Sequence, residues 1–159
     1  MDSDPIILVT SSLILSYVFV VASIHKWQNL EEFKGTLNNY QVLPEAFLGL
    51  FVFAIPTIEI LCGIALLIPY SFKPAALLAA ILLLMYIFAI GINLLKGRRT
   101  IDCGCGGLDQ KQAISEWLIL RNAVLLFFAY SVMTSVPSRE LAWFDWIVAL
   151  LATIVGCLF

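Results

Sequence analysis

The sequence predicts an all-α membrane protein: a bundle of five transmembrane helices with a short amphipathic helix between the first and second spans. Of its 159 residues, 62% are apolar and only 13% are charged, and the mean hydropathy is +0.99. Such a chain has too few polar residues to cover a water-soluble globule. The apolar residues also occur in long runs that short polar connections separate, as in a protein embedded in a lipid membrane.

The arrangement of these runs indicates one integral membrane domain over residues 1–159, because no soluble insert divides them. The net charge of −2 and the scattered basic residues give no electrostatic footprint for nucleic acid, so we expect no nucleic-acid partner. The first residues, Met1 to Pro5, include two acidic side chains, whereas a secretory signal begins with basic ones. We therefore expect the first apolar run to be a retained membrane span.

The first span is predicted over residues 6–24, which contain no charged side chain. At ~1.5 Å per residue this run can cross a hydrocarbon layer of ~30 Å. Thr10 and the serines within it can hydrogen-bond back to the carbonyl groups of their own helix. His25 and Lys26 are expected to end the helix at the membrane interface.

A short surface helix is predicted over residues 27–43. Its apolar side chains, among them Trp27, Phe33 and Tyr40, recur at intervals of three and four and form one face of a helix too polar to span. We expect this helix to lie along the membrane surface and to end before Pro44.

The second span is predicted over residues 47–70, with Pro56 and Glu59 near its middle. A carboxylate at this depth costs several kcal/mol unless it is paired, hydrated or protonated. Pro74 suits the first turn of the next helix. The remaining spans are predicted over residues 74–95, 113–135 and 141–159.

Five spans place the loops after the first and third helices on the same side of the membrane. His25, Lys26, the surface helix, Asn93 and the loop over residues 96–108 then share one face of the protein. This face is where we expect a functional site.

The loop over residues 96–108, KGRRTIDCGCGGL, is the one long polar and glycine-rich interruption in the second half of the chain. A disulfide between Cys103 and Cys105 would require bent backbone and would be reduced more easily than a structural bond. Arg98, Arg99 and the start of the next helix favour a thiolate. We predict a redox-active pair. The alternatives are an inert polar loop and a metal clip, with zinc the weaker metal because a closed zinc site needs four ligands.

Polar side chains inside the spans form the second part of the predicted site. Arg121 is the natural partner of Glu59, because its long side chain makes up their difference in depth. Asn93 and Asn122 are expected to complete the hydrogen bonds of this pair, which either locks two helices together or handles a proton or ligand. His25 is either an interfacial histidine or a proton acceptor beside the cysteines.

In their order along the chain, these features resemble the methylamine-utilisation protein MauE family and its DoxX-like relatives. The resemblance covers roughly residues 15–130 and rests on Pro56 and Glu59 in the second span, the motif DCGCGG after the third span, and Leu120-Arg121-Asn122 in the fourth. It implies a multi-pass protein of the bacterial cytoplasmic (inner) membrane that is linked to thiol and disulfide redox. Cys103 and Cys105 would be the reactive pair, with Glu59, Arg121 and Asn122 as its intramembrane polar residues.

The resemblance also implies partners and a substrate. Members of this family are associated with maturation of the disulfide-rich small subunit of methylamine dehydrogenase, an exported client, alongside a thioredoxin-like protein. The family often has an aromatic residue where this chain has Gly106. The bundle is similar as well to quinone-coupled disulfide-forming membrane enzymes, which use two cysteine pairs. This similarity makes a quinone one candidate electron acceptor, and we expect no other cofactor and no bound metal.

Three functions therefore follow from the sequence. The leading hypothesis is a membrane thiol-disulfide oxidoreductase in which Cys103 and Cys105 cycle between dithiol and disulfide. The second is a non-enzymatic membrane assembly factor for a redox enzyme. The third is a soft-metal carrier that uses the two thiolates.

The side of the membrane that the cysteines face is predicted in two ways. Oxidation of exported proteins takes place outside the cytoplasm, which is the side that the resemblance favours and that we expect. The excess of basic residues on this face favours the cytoplasm. Six basic residues lie on the cysteine face (Lys26, Lys34, Lys96, Arg98, Arg99 and Lys111) and two on the other (Lys73 and Arg139).

Overall fold

The computed structural model describes residues 2–3, 5–40, 44–97, 115–134, 136–137, 147 and 150. Within these residues, four helical segments are long and apolar enough to cross a membrane. The chain is therefore a multi-pass membrane protein. The predicted fifth span, 141–159, lies outside the described residues apart from residues 147 and 150.

The described residues form five α-helices. A 3-10 turn over Pro69–Ser71 joins the third helix to the fourth. Two short segments pair in parallel, Asp2 with Val136 and Ser3 with Pro137. The helices are α1 (Pro5–Gln28), α2 (Leu30–Tyr40), α3 (Glu45–Ala65), α4 (Phe72–Leu95) and α5 (Glu116–Thr134).

The boundary between α1 and α2 differs from the one that the sequence predicts. The first helix continues past residue 24 to Gln28, and Asn29 is the one turn residue before α2 begins. The backbone amide of Asn29 donates to the carbonyl of His25 at 3.1 Å, and that of Phe33 donates to the carbonyl of Asn29 at 2.9 Å. The chain thus passes from a span into α2 with almost no interruption of helical hydrogen bonding.

The end of α3 also differs from its prediction. The helix ends at Ala65 rather than near residue 70, and the backbone turns over residues 66–68. Pro69 lacks the amide hydrogen that would extend the helix and disfavours helical geometry in the residue before it. The apolar run therefore contains both the end of a span and the turn into the next.

The four long helices pack in a ring, in the order α1, α3, α4 and α5, with α5 returning to α1. Small residues at positions 75, 76 and 79 of α4 and 129 of α5 are buried in the core of the bundle, where small side chains allow helices to approach closely. Large apolar side chains such as Leu50, Phe88 and Phe127 remain exposed on the outside of the ring. This distribution is expected for helices that are surrounded by lipid.

Hydroxyl groups link α1 to α3 along the line where the two helices cross. Ser16 Oγ donates to the carbonyl of Gly63 at 2.7 Å, and Ser23 Oγ donates to the carbonyl of Pro56 at 2.6 Å. Both hydroxyl groups thus bond to the neighbouring helix rather than to their own. The spacing of seven residues on both helices keeps the two contacts on one face of each.

One end of the bundle gathers the segments that position the predicted site. The buried side chain of Tyr40, at the end of α2, clusters with Ile90 of α4 and Leu118 of α5. Asn93 Nδ2 donates to the carbonyl of Tyr40 at 3.3 Å. We call this the α2 end: α1 and α4 end there and α5 begins there, as the parity of the predicted spans requires.

Candidate functional site

Glu59 lies in the interior of the bundle on α3, and its side chain is only 1% exposed. Its partner is Lys26 of α1: Lys26 Nζ donates to Glu59 Oε1 at 2.6 Å and to Oε2 at 2.7 Å. The prediction that Glu59 pairs with Arg121 is therefore wrong. Among the described residues, the Lys26–Glu59 contact is the one salt bridge.

The extension of the first helix explains why Lys26 is buried. With α1 running to Gln28 and continuing into α2, Lys26 is enclosed by helices rather than placed at the membrane interface. The sequence does contain a signal for this orientation. Ser16, Ser23 and Lys26 follow one another at intervals of seven and three residues. These intervals place all three polar side chains on the face of α1 that bonds to α3.

Tyr86 of α4 and Phe33 of α2 complete the surroundings of the ion pair. Lys26 Nζ donates to the hydroxyl of Tyr86 at 3.0 Å, and that hydroxyl donates to Glu59 Oε1. Nζ also lies 4.9 Å from the ring centroid of Tyr86 and 5.4 Å from that of Phe33, within the range of cation–π attraction. The sequence analysis did not identify Tyr86 or Phe33 as parts of the site.

Each of the three ammonium protons of Lys26 has an acceptor in this cluster, two on Glu59 and one on Tyr86. The cluster is electrically neutral and its hydrogen bonds are made within the protein. Such a pair gives little net stability over apolar side chains of similar volume, but removing one partner costs ~3–5 kcal/mol because the other charge is left buried.

A cavity of about 170 Å³ lies beside the ion pair, between α1, α3, α4 and α5. Four predicted site residues line it together with Lys26: His25, Glu59, Arg121 and Asn122. The structure thus brings these residues into one site, although not through the contacts that the sequence suggested. The other lining residues are Tyr17, Val18, Phe19, Val21, Ala22, Leu83, Tyr86 and Leu125.

The two polar side chains of α5 in this cavity, Asn122 and Arg121, differ in their hydrogen bonding. Asn122 is buried, and its Nδ2 donates to the carbonyl of Leu118 in its own helix at 2.9 Å. Arg121 is partly buried. Its Nε is shielded from solvent and has no hydrogen-bond partner among the described residues.

Asn93 is not part of this cavity. It lies two turns beyond Tyr86 on α4, toward the α2 end, where it donates to the carbonyls of Tyr40 at 3.3 Å and Ala89 at 3.0 Å. The prediction that Asn93 completes the hydrogen bonds of the ion pair is therefore wrong. Its side chain instead fastens the end of α2 to α4.

The predicted cysteine pair, Cys103 and Cys105, and the neighbouring Arg98 and Arg99 lie outside the described residues. The described residues on either side of their segment are Gly97 and Ser115, and both belong to the α2 end of the bundle. Gly97 has a φ of +72°, a left-handed conformation that suits glycine after the end of a helix. In the part of the chain that the structure describes, no cluster of His, Cys, Asp or Glu has the arrangement of a metal site.

Comparison with known proteins identifies the family. The family model described as methylamine utilisation protein MauE matches residues 4–135. The chain belongs to the MauE family. The methylamine utilization protein MauE of Paracoccus denitrificans is 37% identical over 135 residues, which are 85% of this chain and 73% of the relative.

Two further MauE proteins give similar matches. The protein of Methylophilus methylotrophus is 39% identical over 105 residues, covering 66% of this chain and 55% of the relative. The protein of Paracoccus versutus is 36% identical over 126 residues, covering 79% and 68%. No solved structure matches the chain.

The region that matches the MauE family contains all four candidate spans, the ion pair, the cavity and both predicted site cysteines. It ends before the predicted fifth span at residues 141–159. MauE proteins are named for methylamine utilisation, which is therefore the metabolic context of this family.

Proposed function

We propose that this chain is a membrane-embedded thiol-disulfide redox protein that supports disulfide formation or maturation of an exported protein. Cys103 and Cys105 carry the reaction, and a thioredoxin-like protein is a partner. Methylamine utilisation, the context of the MauE family, makes the small subunit of methylamine dehydrogenase the candidate client. The bacterial inner membrane is the proposed location.

The observation that supports this proposal is where the cysteine segment joins the bundle. Gly97 follows α4 and Ser115 precedes α5, and both belong to the α2 end. Arg121, whose charge no salt bridge among the described residues neutralises, lies in the second turn of α5 at the same end. Cations near a cysteine favour the thiolate, which is the form that attacks a disulfide.

The proposed reaction is a pair of thiol-disulfide exchanges. A thiolate of the reduced client attacks the Cys103–Cys105 disulfide, forms a mixed disulfide and releases one cysteine thiolate. The second client thiolate then breaks the mixed disulfide, so that the client gains a disulfide and Cys103 and Cys105 become a dithiol. Two electrons and two protons leave this dithiol when it is reoxidised by the disulfide of a thioredoxin-like protein or by a membrane quinone.

A redox titration tests the proposal. The purified protein in detergent is equilibrated with mixtures of reduced and oxidised dithiothreitol, alkylated, and measured by mass. We expect one two-electron couple that disappears in Cys103→Ser and in Cys105→Ser. Cys62→Ala is the matched control, because Cys62 is buried within the spans and its removal leaves the couple unchanged.

In cells, each single serine variant should trap a mixed disulfide with the client or the thioredoxin-like protein. Full maturation of the client by the double serine variant would overturn the proposal.

A non-enzymatic assembly factor is the second candidate, and the ion-pair cluster favours it. Hydrogen bonds among Lys26, Glu59 and Tyr86 join α1, α3 and α4, which is a structural role that requires no reaction. Absence of any couple in the titration, with the chain still required for client maturation, would identify this function.

A further inference from the structure

The cavity beside the ion pair contains one charge that the cluster does not neutralise. The charges of Lys26 and Glu59 cancel within their salt bridge. Arg121, which lines the same cavity, adds a positive charge, so the described lining is cationic even when His25 is neutral. Lys26 has no proton left for a ligand, because Glu59 and Tyr86 accept all three.

The Arg121 side chain is not fully paired within the described part of the bundle. Its Nε is shielded from solvent and has no partner among the described residues. Buried donors in native proteins are almost always paired, and an isolated cation inside a membrane span is costly. Glu59 lines the cavity too, but its carboxylate is held by Lys26 through both oxygens.

Apolar side chains form most of the remaining cavity wall. Phe19, Leu83 and Leu125 contribute buried apolar surface, and Ala22 leaves space between them. The volume of about 170 Å³ is close to the ~150 Å³ of an engineered apolar cavity that holds one benzene molecule. The cavity thus suits an apolar body of about one ring.

We propose that this cavity binds a small amphiphilic anion, with a carboxylate or phosphate group on Arg121 and an apolar body of about one ring between α1, α4 and α5. The planar fork of an arginine binds such oxyanions with two parallel hydrogen bonds. A free organic acid and the head group of an anionic lipid share this chemistry. The site uses none of the cysteines, so ligand binding to it is measured independently of the proposed redox reaction.

Benzoate is the probe for a free acid, and benzamide is its neutral counterpart of nearly the same shape. Binding of each to the purified full chain in zwitterionic detergent is measured by isothermal titration calorimetry and by the shift of the melting temperature. We expect benzoate to bind and benzamide to bind at least about tenfold more weakly. In Arg121→Gln, benzoate affinity should fall about 10- to 100-fold, as the loss of a hydrogen bond to a charged group predicts.

Three control variants separate this effect from a general loss of structure, charge or redox activity. Lys73→Gln removes one positive charge at the exposed start of α4, at the opposite end of the bundle, and should leave benzoate binding unchanged. Ala22→Leu retains Arg121 but fills the cavity and should abolish binding. The Cys103→Ser, Cys105→Ser double variant should bind benzoate normally, whatever its redox activity.

Whether the anion is the head group of a lipid is tested in nanodiscs of phosphatidylcholine with and without phosphatidylglycerol. The site is assigned to a lipid head group if phosphatidylglycerol raises the melting temperature of the unmodified protein but not of Arg121→Gln, and if the unmodified protein does not bind benzoate. Equal binding of benzoate and benzamide would overturn the proposal. So would an Arg121→Gln variant that keeps its response to both benzoate and phosphatidylglycerol.

Discussion

At the scale of single residues, the partner of Glu59 is decided by which cation reaches it. Arg121 and Lys26 both line the cavity beside Glu59, yet Lys26 makes both hydrogen bonds to the carboxylate. Lys26 is favoured because Ser23, one turn earlier, already holds that face of α1 against Pro56 of α3. The Lys26 ammonium therefore lies against the carboxylate of Glu59, and the charge of Arg121 remains facing the cavity.

The first prediction concerns the removal of one partner of the pair. Glu59→Gln leaves the Lys26 ammonium buried without a counter-charge, so we expect the free energy of unfolding to fall by about 3 to 5 kcal/mol. Lys26→Met should cost a similar amount, for the reciprocal reason. Both are measured by reversible unfolding in mixed detergent micelles.

A double-mutant cycle identifies the partner. Lys26→Met combined with Glu59→Leu should recover much of the stability that either change loses, because an apolar pair of similar volume replaces the ion pair. Arg121→Gln combined with Glu59→Gln should show weaker coupling than the Lys26 and Glu59 pair, because no salt bridge joins these two described residues. Strong coupling of Glu59 to Arg121, with none to Lys26, would contradict the pairing that the structure contains.

At the scale of elements, the crossing of α1 and α3 and the packing of α2 on α3 create the site. Gly63 permits the crossing: a β-carbon there would lie 2.7 Å from Val20 Cγ2 and 3.2 Å from the carbonyl oxygen of Ser16. On the other side of the ion pair, Phe33 of α2 packs with Val52 and Ile55 of α3. Both contacts bring Lys26 and Glu59 together and separate them from solvent.

The second prediction tests the crossing. Gly63→Ala should lower the free energy of unfolding by about 1 to 3 kcal/mol, because the added methyl group forces two packed helices apart. Gly91→Ala is the matched control, since a β-carbon there has no heavy atom within 4 Å. It should be neutral or stabilising by up to ~1 kcal/mol, from the better helix propensity of alanine. Equal destabilisation by both changes would refute a special role for Gly63.

The third prediction tests the role of α2 as a cover for the ion pair. Phe33→Ala removes a buried ring and its attraction to the Lys26 ammonium, so we expect a loss of about 3 to 5 kcal/mol in unfolding free energy. Phe47→Ala, on an outward position of α3 that is 52% exposed, should cost far less. If α2 packs elsewhere in the membrane, the two phenylalanine variants will have similar stability.

At the scale of the whole molecule, the ring of four helices places its polar groups inside and its apolar side chains outside. The two ends of the bundle differ. The α2 end gathers the cavity and the attachment points of the cysteine segment, Gly97 and Ser115, whereas the opposite end has the short pairing of Asp2–Ser3 with Val136–Pro137. Any exchange with a soluble partner is therefore expected at the α2 end.

The fourth prediction gives the side of the membrane that this end faces. In intact cells, a membrane-impermeant maleimide should label Cys103 and Cys105 of the reduced protein, because disulfide formation in an exported client takes place outside the cytoplasm. The experiment uses Cys157→Ser to remove another thiol, and Cys62 serves as a buried internal control. Labelling that occurs only after lysis would place the α2 end in the cytoplasm, as the distribution of basic residues favours.

The sequence by itself determined the class of protein, the approximate positions of four spans, and four polar residues that line the cavity, namely His25, Glu59, Arg121 and Asn122. These follow from apolar run length and from the rarity of ionisable residues within spans, which are properties of short stretches of chain. The tertiary structure decided that Lys26 rather than Arg121 pairs with Glu59, that Ser16 and Ser23 bond to α3, and that Asn93 fastens α2. Each of these contacts joins residues far apart in the sequence, and it depends on where two helices cross and how each is rotated, which no local pattern encodes.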